Sequence, residues 1–370
     1  MLYFPQNPLS PASCAACAFL DECGGLDGED FQKGCFSRCI THCVRHGCDM
    51  VCPVSALPFA DYIADVGGLW APPRLPLTAF DPSELPPYVP QLNHRGSRTV
   101  ALDEPWVTVP LYEVVGRNRR GRYVVKYDSP AQLRSALKVS RNTQIIVTSV
   151  TPDRIIEDFW AEHVVRNIPE KLACLGIAAM TVPNFSFMTD VSRINSLYNM
   201  SRSFRVAERL SEAGISTILH LNASTKKDWS RLADVFREQP HLTTVCVEYQ
   251  TGPGRKEIGD RYFAGLVGMR DAIGRNLHPI ALAGTGRIVQ FRNSFPRFTV
   301  VDATPFMKTV HRQVLVRVGR RWKWRKKETP LGATLNHYLA SNIRNHRACQ
   351  LERAGLSPEG LGLQLLLPAA

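Results

Sequence analysis

The 370-residue sequence lacks any apolar run of about 18 residues, the shortest length typical of a transmembrane helix. Its first residues, MLYFPQNPLSPAS, lack the basic start and the apolar stretch of a secretory signal. Both absences predict a cytoplasmic protein without a membrane partner. Acidic residues are also scarce, with 33 Asp and Glu against 45 Lys and Arg and a net charge of +12. That excess favours a polyanionic partner, with nucleic acid as the first candidate.

The overall composition is that of a globular protein. Hydrophobic residues make up 44% and charged residues 21% of the chain, which excludes wholesale disorder, a coiled coil and collagen-like repeats. The length predicts about two to three domain-sized units. We predict a cysteine-rich module at 1–70, a proline-rich linker with a short β-hairpin at 71–128, a barrel-like domain at 129–307, and a basic hairpin with a helix at 308–370.

Eight of the eleven cysteines lie close together near the amino terminus: Cys14, Cys17, Cys23, Cys35, Cys39, Cys43, Cys48 and Cys52. A secreted disulfide scaffold would be a small domain with a signal peptide, so clustered thiols here are more typical of metal ligands. The C-x2-C spacing of Cys14 and Cys17 places two thiolates on one turn around a single ion. Eight thiolates would complete two four-ligand sites, and both an iron–sulfur cluster and zinc remain open.

The spacing of these cysteines leaves alternatives. The gap before Cys23 and the proline after Cys52 favour an iron–sulfur protein, although neither spacing is a standard one. His42 or His46 could replace a thiolate. Three cysteines resemble the C-x3-C-x2-C pattern of radical S-adenosylmethionine enzymes, with the last gap one residue longer: Cys35, Cys39 and Cys43. A purely structural metal site and a redox or catalytic one are both compatible with the pattern.

From about residue 130 the chain alternates between apolar runs and amphipathic stretches. The apolar runs are rich in Val and Ile and occupy residues 144–150, 174–183, 215–222, 243–250, 278–284 and 298–304. The stretches 153–168 and 196–214 carry apolar residues at helical spacing, and Gly214 is well placed to end the second helix. Continuous apolar strands joined by helices indicate an α/β protein with a parallel sheet that is covered on both faces.

The residues that follow these runs favour a (β/α) barrel, complete or incomplete, over an open doubly wound sheet. Several runs end in polar or small residues, such as His220 and Asn222. In a barrel, the carboxyl ends of all strands converge on one site, so chemistry from many strands can meet there. An open sheet would use only the two or three strands at its switch point.

Two carboxylates at strand ends are the candidate catalytic residues. Asp302 follows a Val-rich run and would act as nucleophile or general base, or else form an Asx turn with Thr304. Glu248 ends another run, and strand alternation would place Gln250 on the same side. Glu248 and Gln250 would recognise a base edge or transfer a proton; an ion pair inside the barrel is the alternative for Glu248.

Other strand-end residues are candidates for substrate binding. Gly284 and Gly286, followed by Arg287, have the small residues and the cation of a phosphate-binding turn, or form an ordinary loop. Asn184 and Ser186 could also reach a ligand. Asp190 would join them or cap the next helix, and His220 is more typical of a structural residue.

The segment 308–327, KTVHRQVLVRVGRRWKWRKK, contains nine Lys or Arg residues and no acid. Cations interleaved with tryptophans combine phosphate neutralisation with surfaces on which bases stack. Alternation along a strand would place both tryptophans on one face and cations on the other; a hairpin with a merely solvated basic face is the alternative. The predicted nucleic-acid-binding residues are Arg320, Arg321, Trp322, Lys323, Trp324, Arg325, Lys326 and Lys327.

The segment 182–222, which begins VPNFSFMTD, resembles a bacterial and phage domain family without an established activity. The family pattern is Pro-Asp-Phe-Ser, then a helix with Asn-x-x-Arg, then Gly-Ile before an apolar strand. Asn184 stands here in place of the aspartate. The resemblance implies kinship of fold and an association with mobile genetic elements.

A second segment, 277–313, is similar to the closing strands of the transglycosylase-like barrels that exchange guanine for a deazapurine in tRNA or DNA. Those barrels have a Leu-His-x-x-Gly-like strand and then a strand that ends in Asp-Ser/Ala-Thr, which Asp302 matches. Their zinc signature, C-x-C-x2-C followed by His, is missing after the barrel. The resemblance implies a barrel that acts on nucleic-acid bases, and Asp302 is the one residue carried across.

These features predict a metal-containing protein that associates with DNA or RNA and that, if it is an enzyme, modifies a base. A non-catalytic nucleic-acid-binding component of a phage, plasmid or defence assembly is the alternative. In that protein the metal module would serve for docking and the barrel as a scaffold. A small-molecule enzyme with a basic tail is a third interpretation.

Overall fold

The computed structural model describes residues 51, 56–68, 70–76, 80–93, 98–187, 193–331 and 335–356. The eight clustered cysteines and Asp190 lie outside these ranges. The predicted metal module and its iron–sulfur or zinc ligands therefore stay a prediction.

The described strands, in chain order, are β1 (Tyr88–Pro90), β2 (Trp106–Pro110), β3 (Val115–Arg117), β4 (Tyr123–Val125), β5 (Gln144–Thr148), β6 (Ala179–Thr181), β7 (Thr217–His220), β8 (Thr244–Glu248), β9 (His278–Leu282), β10 (Thr299–Asp302), β11 (Gln313–Val318) and β12 (Arg321–Lys326). The described helices are α1 (Ala56–Asp65), α2 (Leu111–Val114), α3 (Pro130–Leu137), α4 (Asp153–Glu162), α5 (Ile168–Ala173), α6 (Arg193–Glu212), α7 (Lys226–Glu238), α8 (Lys256–Ile273), α9 (Ile288–Ser294), α10 (Thr304–Val310) and α11 (Asn336–Arg353). None of these helices is long and apolar enough to cross a membrane.

Eight parallel strands form one sheet that curls into a nearly closed barrel. Their spatial order is β1-β10-β9-β8-β7-β6-β5-β2, so each central strand pairs with its neighbours along the chain. The two outer strands also approach each other, because Gln91 bridges to Thr108 and the Leu92 amide donates to the Thr108 carbonyl at 2.8 Å. Helices surround this sheet, which confirms the α/β barrel predicted from the sequence.

The six apolar runs predicted as strands are β5 to β10. The second amphipathic stretch is α6, and Gly214 follows it with a left-handed φ of 84°, as expected of a residue that ends a helix. The short β-hairpin predicted within 71–128 is the antiparallel pair β3 and β4.

The proline-rich segment differs from expectation, because it supplies two barrel strands as well as connecting chain. β1 pairs with β10 and β2 pairs with β5, both in parallel. Each strand ends in a proline, Pro90 or Pro110. Prolines are most easily accommodated where a strand starts or stops, since they cannot donate a ladder hydrogen bond.

Two apolar cores result from the curled sheet. One fills the barrel interior and contains one or two residues from each strand: Val89, Trp106, Ile146, Ala179, Ile218, Cys246, Ile280, Leu282 and Val301. Phe80 closes the amino-terminal end of the barrel, where its ring lies 6.0 Å from that of Trp106 and its carbonyl accepts from Thr244. The larger core lies between the outer face of the sheet and the helices.

The carboxyl-terminal helix α11 covers the wall at β1. No helix occurs among the described residues between β1 and β2, so this part of the wall needs another cover. α11 provides it: Leu339 and Ile343 are buried in the outer core, and His346 Nδ1 lies 3.1 Å from the Tyr88 hydroxyl. Arg347 also forms an ion pair with Glu104. The segment after the predicted barrel domain is therefore part of the barrel wall.

Candidate functional site

The last layer of the barrel interior, at the carboxyl ends of the strands, is polar on six of the eight strands, whereas β9 places the apolar Leu282 level with Glu248. Residues two apart on a strand point to the same side of the sheet. Glu248 therefore lies on the interior side with Cys246, and His220 lies there with Ile218. The same rule identifies the other members. The polar layer consists of Gln91, Thr108, Thr148, Thr181, His220 and Glu248, all of them buried. In β/α barrels this end carries the functional site.

His220 is the most unusual member of the polar layer. It is 4% exposed, and neither ring nitrogen has a hydrogen-bond partner among the described residues. Burial lowers the pKa of its imidazole to about 3. The ring is therefore neutral at physiological pH and offers one donor and one acceptor. Groups buried in this way are costly unless something pairs with them.

One hydroxyl group of this layer and one that follows β5 share that property. The Thr108 and Ser149 hydroxyls are buried without a partner in the described part of the chain. Their neighbours are satisfied, since the Thr148 hydroxyl donates to the Val109 carbonyl at 3.3 Å and the Thr181 hydroxyl accepts from the Ser149 amide at 2.8 Å. Thr108 and His220 lie on the interior side, whereas Ser149 follows the interior residue Thr148 and precedes Val150, which packs with the interior core, so its side chain faces the other way.

Glu248 is buried in the polar layer but is already fully engaged. One carboxylate oxygen accepts from the Gln250 amide at 2.6 Å and the Thr251 amide at 3.0 Å, and the other accepts from the Thr251 hydroxyl. The strand ends at Glu248 and the chain turns, so Gln250 is exposed instead of lying beside it. Glu248 thus shapes its own loop, and its predicted catalytic role remains a prediction.

The segment after β6 lies at the same end of the barrel. The Asn184 amide oxygen accepts from the Asn222 side chain at 2.5 Å, which joins the ends of β6 and β7. The Ser186 hydroxyl donates to Asp153 at 2.7 Å. The structure therefore brings Asn184 and Asn222 together, while Ser186 serves to hold α4.

Arg202, on α6, anchors this segment. Its guanidinium lies 4.0 Å from the centre of the fully buried Phe185 ring and forms two hydrogen bonds with Glu157, at 2.5 and 2.8 Å. Asn199 donates to the Ser186 carbonyl at 2.7 Å and accepts from Arg202. The Asn-x-x-Arg pattern is Asn199 and Arg202, and both side chains contact the segment that follows β6.

The turn Gly284–Arg287 is closely packed. A Cβ atom on Gly284 would lie 2.5 Å from that of Ala281, so only glycine fits there. Gly286 is exposed, and Arg287 donates to Asp260 at 2.5 Å while it lies over the Tyr249 ring. The cation predicted for phosphate binding is therefore engaged in an ion pair, and the binding roles of Gly284 and Gly286 remain predictions.

Asp302 lies on the outer side of the barrel wall. Val301 faces the interior, so alternation turns Asp302 outward, with Val300, toward α11. One oxygen accepts from the Thr304 amide at 2.8 Å and its hydroxyl at 2.7 Å, which is the Asx turn foreseen as the alternative. The other oxygen lies 3.7 Å from His346 Nε2. Asp302 thus faces α11, not the interior, and its catalytic role stays a prediction.

The surroundings of Asp302 form a buried polar cluster under α11. His346 contacts Tyr88 through Nδ1, and its Nε2 lies 3.2 Å from Gln350 Nε2. Burial lowers the pKa of His346, and the Asp302 carboxylate opposes that shift. Burial also raises the pKa of the Tyr88 hydroxyl well above its usual value. The cluster fastens α11 to the barrel wall.

The basic segment forms the antiparallel hairpin β11–β12. Trp322 and Trp324 are half-buried on the side that faces α11: the Trp322 ring donates to Glu352 at 2.7 Å, and the Trp324 ring lies 6.0 Å from that of His346. The intervening cations are exposed, as predicted by alternation. The cations on the side of β12 that faces away from α11 are Arg321, Lys323 and Arg325. The neighbouring Arg320, Lys326 and Lys327 are exposed as well. We name Arg321, Lys323 and Arg325 the basic row.

Buried amide groups hold the hairpin in place. Asn342, which is fully buried on α11, accepts from the Leu315 amide at 2.9 Å and donates to the Gln313 carbonyl and the Thr309 hydroxyl, each at 2.8 Å. Asn345 donates to the Leu315 carbonyl at 2.8 Å. The basic row is therefore displayed on a well-anchored hairpin.

No cluster of three His, Cys, Asp or Glu side chains suited to a metal ion occurs among the described residues. The candidate functional sites in the described part of the chain are therefore the polar layer and the basic row. Compared with known proteins, the chain matches no family model and no curated protein sequence.

Proposed function

We propose that the protein binds nucleic acid, DNA or RNA, through the basic row of β12. The observation that carries this proposal is a set of exposed cations with no acid on their strand. In the described structure no ion pair joins Arg321, Lys323 or Arg325 to a carboxylate, whereas Arg317 on β11 pairs with Glu352 at 3.0 Å. Unpaired cations at regular spacing attract phosphates by releasing condensed counterions.

The anchoring of the hairpin supports the same function. Residues two apart on a strand are separated by about 6.6 Å, so the basic row presents its charges at a regular interval. Because Asn342 and Trp322 tie the hairpin to α11, little order must be gained on binding. Because both tryptophans face α11, we assign most of the binding free energy to the cations and a smaller part to stacking of bases on the tryptophans.

Replacing all three residues of the basic row with alanine should weaken binding by about 10- to 100-fold at moderate salt. The slope of log Kobs against log salt concentration should become shallower by about 2 to 3, since each lost phosphate contact removes about 0.9. Fluorescence anisotropy with a labelled DNA duplex and a labelled single-stranded RNA measures both quantities and ranks the two nucleic acids.

A matched control is available in the β3–β4 turn. Arg119, Arg120 and Arg122 are exposed, and their replacement with alanine changes the net charge by the same amount. We expect this control to retain most of the wild-type affinity. Equal losses in both variants would show that only the overall charge matters and would contradict a binding surface on β12.

Base modification receives less support than binding. Asp302 faces α11 and Glu248 is engaged by its own loop, so neither carboxylate is aimed at a substrate. The function best supported is therefore that of a nucleic-acid-binding component, as in a phage, plasmid or defence assembly. A cytoplasmic location remains a prediction of the sequence.

We also propose that the amino-terminal cysteines bind an iron–sulfur cluster or zinc, on the support of their spacing alone. Anaerobically purified protein should then contain stoichiometric metal, measured by elemental analysis. Iron with sulfide and a brown absorption band would identify a cluster, and zinc without colour would identify a zinc site. Protein without stoichiometric metal would contradict the proposal.

A further inference from the structure

The face of the β11–β12 hairpin that carries the basic row also carries apolar side chains. Each cation of the basic row has a valine directly opposite it on β11: Val318, Val316 and Val314, in the order of Arg321, Lys323 and Arg325. Side chains opposite each other in an antiparallel pair lie on the same face, with Cβ atoms about 4.5 to 5.5 Å apart. We name these three valines the valine row. The other face of the hairpin packs on α11, where Arg317 and Trp322 both bind Glu352.

The outer part of the valine row is open to solvent. Val318 is 44% exposed and Val316 is half-buried, whereas Val314 is buried at the inner end of the row. All three cations of the basic row are exposed, and neither strand of the hairpin contains an Asp or Glu. The hairpin therefore presents a strip of positive charge with a narrow apolar strip beside it.

A ligand complementary to this face must carry negative charge with an apolar surface alongside it. A single-stranded nucleic acid does so, because its phosphates follow one edge of the chain and its unpaired bases offer their apolar faces beside them. In a duplex the base faces are stacked inside, and the grooves display mainly hydrogen-bonding edges. Valine side chains have no donor or acceptor for such edges. The valine row therefore favours a single strand over a duplex.

We propose that the nucleic acid bound by the basic row is single-stranded, with its phosphates on the three cations and its bases against Val316 and Val318. This inference rests on the proposed function and specifies its substrate class. Successive cations of the basic row repeat at about 6.6 Å, close to the spacing of neighbouring phosphates in an extended strand, so each cation can meet one phosphate. Every base has an apolar face, so binding should depend little on sequence.

Fluorescence anisotropy of the full-length protein with three labelled DNA probes of equal strand length tests this inference. The probes are a mixed-sequence single strand, the same strand paired with its complement, and a strand of abasic nucleotides that keeps the phosphates but lacks the bases. The mixed single strand should bind about five- to tenfold tighter than either of the others. Its advantage over the abasic strand should persist as salt is raised, because apolar contact is not screened, while both affinities fall.

A double variant, Val316→Thr with Val318→Thr, tests the valine row itself. It replaces one methyl group of each side chain with a hydroxyl and keeps the β-branched shape that suits a strand. The mixed single strand should bind it about three- to fivefold more weakly than it binds the wild type, whereas the affinities for the duplex and the abasic strand should not change. Val289→Thr is the matched control, because Val289 is 46% exposed but lies on α9, outside the hairpin. It should leave all three affinities unchanged.

The outcomes separate this inference from the proposed function. Equal affinity of the wild type for the mixed and abasic strands, or tighter binding of the duplex, would overturn the single-strand inference and leave nucleic-acid binding by the basic row intact. Equal loss of affinity for all three probes in the double valine variant would also overturn it. Failure of all three probes, together with failure of single-stranded RNA, would contradict the proposed function itself.

Discussion

Replacing Asp228 with alanine is expected to lower the free energy of unfolding by about 3 to 5 kcal/mol. Asp228 is completely buried near the start of α7, where it forms an ion pair with the buried Arg193 at the start of α6. It also accepts from the Ser224 amide at 2.9 Å and the Thr225 amide at 3.1 Å. Truncation removes the carboxylate that faces the Arg193 guanidinium, and Arg231 at 3.8 Å, and it removes the acceptor of the two amides. Urea denaturation followed by circular dichroism measures the loss.

Asp234→Ala on the same helix is the matched control. Its carboxylate is 55% exposed and pairs with Arg237, three residues further along α7. Exposed pairs of this type contribute about 0 to 1 kcal/mol, so this variant should unfold close to the wild-type midpoint. If the two substitutions destabilised the protein equally, the Arg193–Asp228 pair would not be the contact that joins α6 to α7.

Arg202→Ala should lower the free energy of unfolding by about 2 to 4 kcal/mol, because its side chain joins three elements. The guanidinium lies over the rings of Phe185, Tyr198 and Trp160, at 4.0, 5.1 and 5.4 Å, and it is bound by Glu157. Without it the chain after β6 loses its anchor. We therefore expect faster proteolysis near Phe185 as well as a lower urea midpoint.

Arg209→Ala provides the comparison on α6, since Arg209 is 55% exposed and pairs only with Glu212 in the described structure. Its replacement should change the unfolding free energy by less than about 1 kcal/mol. Arg202→Lys keeps the charge but loses the paired hydrogen bonds to Glu157, so it should restore part of the lost stability. Wild-type stability of Arg202→Ala would show that Phe185 is held by packing alone.

The six central strands are predictable because each is buried on both faces and therefore appears as a continuous apolar run. The first two strands escape such prediction. β1 has only three residues, and prolines surround both β1 and β2, which is a pattern typical of connecting chain. They become strands because β10 and β5 would otherwise expose unpaired backbone edges.

The two catalytic candidates show the limit of the same reasoning. Glu248 and Asp302 both end apolar strands, and the sequence predicts the same position for both. Glu248 shares the interior side with Cys246, whereas Asp302 follows the interior residue Val301 and so faces α11. Among the described residues of the polar layer, His220 has two ring nitrogens without a partner, although the sequence presents it as an ordinary structural residue.

Strand β12 shows the opposite case. One of its faces is solvated, so tryptophans and cations alternate, and the orientation of the basic row can be deduced from the letters RWKWRK alone. Six of the eight parallel strands, the helices between them and the exposed cations follow from the sequence alone, because local apolar period and charge specify these. Which strand-end residues face the barrel interior depends on how the sheet curls, because a strand that is apolar on both sides carries no asymmetry to distinguish inside from outside.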